Sequence, residues 1–244
     1  MNETTNPTRA KSAAAKAGTS RRAARANDEA IAHRAPQARA VAARETILKA
    51  AIKIFSKSGF DGARIETISK AARTHDRMIY YYFGSKEKLF VEVLETVYQR
   101  MNAAEAALVL DLSNPVDALT TIVRFHWKYY LNHPDLLTLL NSENMHRGKH
   151  FRKAPAMTDV YPPAVAMLER VLISGVDTGV FRKGVSPRDL YIVIVSLGYF
   201  YQSNRYTLSA FLNEEVMEEA RIVHWQEVMV DNVLRIVIAD AAYL

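Results

Sequence analysis

Apolar positions follow helical spacing along nearly the whole chain. From Gln37 onward, Ile47, Ala51, Ile54 and Phe55 fall at i, i+4, i+7 and i+8, a stripe set against Arg44, Lys49, Lys53 and Lys57. Gly59 follows as a left-handed helix cap. Two short helices are predicted next, about Arg64 to Ala72 and Asp76 to Phe83, with a break near Arg73 and Thr74. Helices that short need a partner, so with the first they make a three-helix unit of the helix-turn-helix kind. Beyond Ser85 no period-2 stretch occurs. Helices are predicted near Lys86 to Leu110, Pro115 to Asn132, Pro134 to His146, Asp159 to Thr178, Pro187 to Leu212 and Glu214 to Ala239. Proline at the starts and glycine in the turns mark their limits. The fold class expected is all-α.

Composition sharpens the division of the chain. Residues 1–36 hold Ile31 and no aromatic residue, too little to bury, and are expected to form a disordered basic tail. Residues 37–95 form the helix-turn-helix domain, its last helix running on to about 110 as a connector, and 96–244 form a larger helical domain. With 49% hydrophobic and 24% charged residues, the chain as a whole is ordinary globular material. The absence of cysteine excludes disulfides, a thiolate nucleophile and thiolate metal sites. The net charge of +6 is uneven: residues 1–40 carry eight basic and three acidic side chains, 41–95 ten and seven, and 96–244 fourteen and sixteen. A polyanion would therefore be met by the first 95 residues. The longest apolar run, Leu190 to Tyr201, falls well short of the roughly 20 residues that span a bilayer, and no membrane partner is expected.

The chemistry concentrates in FDGARIETISKAARTHDRMIYYYFGSKEKLF, Phe60 to Phe90. Ile65, Ile68, Ala72, Ile79 and Phe83 are spaced to pack inward, leaving Thr74, His75, Asp76, Arg77, Met78, Tyr80, Tyr81 and Tyr82 about the start and outer face of the second short helix. A helix of this size fits the major groove with its first residues at base edges. Arg77 can pair with guanine, Asp76 can accept from cytosine or favour the helix dipole, and tyrosine hydroxyls can bond phosphate oxygens. Ser85 is a good N-cap, and Lys86 sits where a helix start would hold a phosphate. A tyrosine run alone is more often packing than nucleic-acid contact. Joined to the turn, the cap and the local positive charge, it reads as a double-stranded DNA surface.

Over roughly residues 44–95 the sequence resembles the tetracycline-repressor (TetR) family of bacterial transcriptional regulators, whose DNA-binding half ends in a pattern matched here by Ile79-Tyr80-Tyr81-Tyr82-Phe83-Gly84-Ser85-Lys86-Glu87-Lys88-Leu89. The resemblance implies backbone contact by Arg64, base reading around Asp76, Arg77 and Met78, and backbone or base contacts from Tyr80, Tyr81, Tyr82 and Lys86. It also implies a cytoplasmic homodimer on a palindromic operator, released by a small effector. Three positions depart from the family's pattern. Arg73 replaces the turn glycine, His75 a serine and Ala63 a threonine; a left-handed backbone at Arg73 costs about 1 to 2 kcal/mol.

Residues 96–244 contain no nucleotide loop, metalloprotease pair or hydrolase elbow. No enzyme, cofactor or metal is expected, although Glu143, His146 and His150 at i, i+3 and i+7 would face a cation if the helix continued past Gly148. Polar groups set among apolar ones suit a pocket for a small aromatic or apolar effector: His126, Trp127, Tyr130, Asn141, Met145, Tyr161, Met167, Tyr199, Gln202 and Asn204. Leu190, Ile194, Leu197 and Tyr201, with Trp225, Met229, Val233 and Ile236, line two long helices that could build an isologous four-helix dimer interface. Two alternatives stay open at this point. One is an all-α binding protein with a purely structural N-terminal unit; the other is an enzyme built on His126 or His224, which no base–nucleophile spacing supports.

Overall fold

A computed structural model describes residues 37–154 and 163–239. The predicted tail, the helix start at Asp159, and the candidate Tyr161 lie outside the described residues. The chain divides into a compact unit ending at Lys49 and a second, Ala50–Leu244. In the first, residues 37–49 are helical and Ile47 is buried.

The helix begun at 37 is α1 and ends at 62. Gly59 has the expected left-handed φ of 67°, yet helical turns continue three residues beyond it. Then come α2 (Ile65–Ala71), α3 (Asp76–Phe83), α4 (Lys86–Ala106), α5 (Pro115–Asn132), α6 (Pro134–Met145), a 3₁₀ turn (Phe151–Lys153), α7 (Pro163–Asp177), α8 (Pro187–Ser203), α9 (Arg205–Leu212) and α10 (Glu219–Val237). Among the described residues the fold is all-α, broken only by an isolated bridge between Phe181 and Ile238.

Three boundaries differ from the periodicity, each for a local polar reason. Connector α4 stops at Ala106, short of Leu110, where the chain turns through Asp111, whose carboxylate accepts from the Ser113 backbone and hydroxyl. The single helix expected over Pro187 to Leu212 is two. At the break, Asn204 sends both its backbone N–H and its side-chain amide (2.9 Å) to the Phe200 carbonyl, a local bond that competes with helix continuation. The last helix starts at Glu219 rather than Glu214. Asn213 is left-handed, and the Glu215 carboxylate and Ser209 hydroxyl take the Met217 and Val216 N–H groups.

The core of the larger unit lies between α5, α7, α8 and α10, around Leu119, Ile122, Trp127, Leu168, Val171, Ile194, Met229 and Val233. Gly175 on α7 lets the Phe181 ring lie on the helix: a Cβ at 175 would stand 1.9 Å from that ring. Below it, Ser174 donates to the Leu112 carbonyl at 2.6 Å.

Candidate nucleic-acid interface and effector cavity

The helix-turn-helix is set by a few bonds between α2 and α3. The Ser69 hydroxyl donates to the Asp76 carboxylate, and the Thr74 N–H to the Ser69 carbonyl at 2.9 Å. Arg73 makes the turn at φ 52°, the left-handed backbone its glycine-like position calls for. Gly84 turns the chain from α3 to α4 at φ 77°, and the Ser85 hydroxyl caps α4 by accepting from the Lys88 N–H.

This frame separates the two faces of α3. Ile79 and Phe83 are buried, while Tyr80 is 51% and Tyr81 77% exposed. Arg64, His75 and Arg77 are also exposed, and Thr74, Met78 and Tyr82 are half-buried, with the Tyr82 ring edge-on to Tyr81 at 5.1 Å. Ser69, Thr74, His75, Asp76 and Arg77 line an open concavity at the start of α3. Two predicted contact residues have other engagements. Asp76 spends a carboxylate oxygen on Ser69, and half-buried Lys86 lies 4.7 Å over the Phe60 ring and within 3.5 Å of the Asp61 carbonyl.

Behind this surface a polar seam joins α6 and the 3₁₀ turn to the end of α1 and the start of α4. The Phe60 N–H donates to the Ser142 hydroxyl at 3.2 Å, and His146 Nε2 meets the Asp61 carboxylate at 3.1 Å. Lys153 and Lys149 reach Glu87 at 3.0 and 3.4 Å, and their bonds hold its carboxyl below the usual range. Gly148 does break the helix, with φ 69°. Glu143 accepts from the His150 and Phe151 N–H groups and pairs with His150 Nδ1 at 2.7 Å, so its oxygens are committed to the protein. No group of metal-ligating side chains occurs among the described residues.

A cavity of about 250 Å³ opens between α4, α5, α6 and α8, lined by Tyr98, Met101, Tyr130, Leu140, Tyr191, Val195, Ser196 and Tyr199. Of the predicted effector residues it brings together Tyr130 and Tyr199. Asn141 stands beside them, its side-chain oxygen accepting from the Tyr199 hydroxyl and from Ser203 at 3.0 Å. His126 is fully buried: Nε2 is 3.1 Å from the buried Glu105 carboxylate, Nδ1 is 2.9 Å from the Ile122 carbonyl, and the Tyr191 ring stands edge-on at 5.8 Å. The others are set apart. Trp127 and Met167 are core residues, Gln202 is buried, Asn204 ends α8, and Met145 is 85% exposed beside Ser56 to Asp61. Tyr98 and Tyr191 were not anticipated. They occupy helices read as connector and as dimer former, and their only sequence signal is a tyrosine at a helical interval from apolar neighbours.

The predicted dimer stripe is turned inward. Leu190, Ile194, Tyr201, Met229 and Val233 are buried in the chain's own core, and Leu197, Trp225 and Ile236 are half-buried, packed against it. The Trp225 ring stacks on Tyr201 at 4.7 Å. Exposed apolar side chains lie instead on the opposite faces of these helices, with Ile192 and Phe200 on α8 and Val223 on α10. The most apolar stripe of each helix went to the core, as burial energetics favour.

An all-helical body carrying a helix-turn-helix whose second helix bares arginine and tyrosine defines a class: DNA-binding regulatory proteins. Residues 47–93 match the family described as "Bacterial regulatory proteins, tetR family", and residues 115–233 match "Tetracyclin repressor-like, C-terminal domain". The chain is 47% identical over 192 residues to the HTH-type transcriptional repressor NicS of Pseudomonas putida, covering 79% of this chain and 91% of that protein. It is 30% identical over 159 residues to the HTH-type transcriptional repressor SCO4008 of Streptomyces coelicolor, covering 64% and 76%. The protein belongs to the TetR family, whose members are transcriptional regulators and not enzymes. Solved structures share the fold. The transcriptional regulator SCO4942 of S. coelicolor superposes with a TM-score of 0.57 at 19% identity, covering 80% of this chain and 97% of that one. A TetR-family protein from Vibrio parahaemolyticus gives 0.53 at 20%, covering 81% and 100%. Among the described residues no helix is long and apolar enough to cross a membrane.

Proposed function

We propose that the protein is a homodimeric repressor that binds a palindromic operator through α3 and is released when a small aromatic effector enters the helical body. The observation that carries this reading is the division of α3: Ile79 and Phe83 are buried, while Arg77, Tyr80 and Tyr81 stand exposed beside an open helix start. Arg77 suits a guanine edge, the tyrosine hydroxyls suit phosphates, and the exposed Arg64 at the start of α2 suits the backbone of the same groove. The apolar residues Ile192, Phe200 and Val223, exposed on α8 and α10, support association with a second copy. Release follows from linkage: the effector must bind more tightly to the geometry that does not fit the operator. The seam through Ser142, His146 and the Lys153–Glu87 pair gives α6 and the 3₁₀ turn a physical grip on the elements that carry α3.

The test is selection of duplexes from a randomised pool by the full chain, followed by anisotropy titration of the winner at two salt concentrations. An inverted repeat bound at nanomolar protein, with affinity falling steeply as salt rises, is expected. Arg77→Ala combined with Tyr81→Ala should weaken binding at least tenfold without shifting Tm, since both side chains face solvent. No enrichment, or salt-insensitive binding, would overturn the reading.

A further inference from the structure

We infer that the effector is a single-ring, planar molecule bearing hydrogen-bond acceptors, held in the cavity by the hydroxyls of Tyr98, Tyr130 and Tyr191. The inference rests on the ligand-responsive reading above and narrows it to a chemistry. Size comes first. A cavity of about 250 Å³ exceeds the ~150 Å³ that holds benzene and lies below the range of roughly 300 to 1,000 Å³ typical of drug-sized ligands. One ring with a substituent fits. The wall supplies Met101, Leu140 and Val195 for its faces.

The polar side of the wall decides the rest. Among the described residues no lysine, arginine or carboxylate lines the cavity, so their recognition of a ligand falls to hydroxyls. Tyr199 is already spent: its proton goes to Asn141, and it accepts from Asn144 at 3.4 Å. Tyr98, Tyr130 and Tyr191 make no hydrogen bond among the described residues, although Tyr130 is only 4% exposed. Tyr98 and Tyr191 are half-buried, and none of the three hydroxyls is sealed off from open space, so each is free to bond a polar atom of a molecule that enters the cavity. Burial is the main force pushing their ionisation upward, to about 12 for Tyr98 and well above the ordinary value for Tyr130; the Tyr98 phenolate's neighbour Tyr199 and the Glu105 charge add to it. Burial and Glu105 act in the same direction on Tyr191. All three stay protonated near neutral pH and can donate. A ligand that satisfies them carries acceptors such as a carbonyl, a ring nitrogen or a carboxylate oxygen. Gly198 leaves room for the Tyr130 ring, since a Cβ there would lie 3.1 Å from it.

The experiment is calorimetric titration of the full chain, without DNA, using four one-ring probes: benzamide and benzoate, which carry acceptors, and toluene and benzylammonium, which carry none. At least one acceptor probe should bind with a Kd fivefold or more below those of toluene and benzylammonium, each phenol contributing about a factor of 2 to 10. Tyr130→Phe combined with Tyr191→Phe keeps the rings and the cavity's shape, and should erase that preference while helicity and Tm hold. Equal binding of all four probes, no binding of any, or a preference that survives the double substitution would each overturn the inference. Operator binding by the unliganded protein is a separate readout. Its loss sinks the regulator reading, whereas its retention without any probe preference sinks only the ligand chemistry.

Discussion

Arg73 holds a left-handed backbone, φ 52°, that a side chain occupies at a cost of about 1 to 2 kcal/mol. Glycine there relieves the clash but leaves a freer unfolded chain, which returns about 0.5 to 1 kcal/mol of the gain. Arg73→Gly should therefore raise stability by roughly 0.5 to 1 kcal/mol, read as a higher denaturant midpoint at unchanged slope. This position was legible from the sequence through the family resemblance, which puts a turn glycine where Arg73 stands. Other residues were not. Leu190, Ile194 and Met229 looked like an interface because they are apolar at helical spacing, and the same property suits a core. Periodicity says which side chains leave water, not whether they meet their own chain or another. Tyr98 and Tyr191 hid for a related reason: the cavity exists only where four helices converge, and no single helix encodes it.

At the scale of elements, α3 and α5 match the predicted limits residue for residue. Both have sharp local stops: Gly84 after α3, and Asn114 with Pro115 before α5, where the Asn114 side chain accepts from the Asp117 N–H. The join of α8 to α9 lacks such a signal. Asn204 is tolerated inside helices, and its role as a terminus depends on where its amide points. Packing of α7 depends on Gly175. Gly175→Ala would drive a methyl into the Phe181 ring, and the overpacking should cost about 1 to 3 kcal/mol. Thermal unfolding should show a lower Tm. Phe181→Leu in the same background, by shrinking the ring, should recover part of the loss.

For the molecule as a whole, the cavity tyrosines set an alkaline limit. Tyr98 ionises near 10 in an unfolded chain and at about 12 in the folded one, the difference coming mainly from burial. The folded state thus keeps a proton that the unfolded state releases. Stability from this group is intact below pH 10 and declines as pH climbs toward 12, and Tyr130 and Tyr191, also raised, act in the same sense. Urea denaturation across this interval should show a falling midpoint, and Tyr98→Phe should flatten the fall. If the midpoint does not move between pH 9 and 12, the tyrosines are open to bulk water. A second whole-molecule consequence lies in the three-residue knot of Glu87, Lys149 and Lys153. Its members are largely solvent-facing, so dissolved ions weaken them as they weaken phosphate contacts. The slope of log affinity against log salt will consequently contain a share from slackening inside the protein, and a count of neutralised phosphates taken from that slope will run high unless Glu87→Gln is titrated alongside.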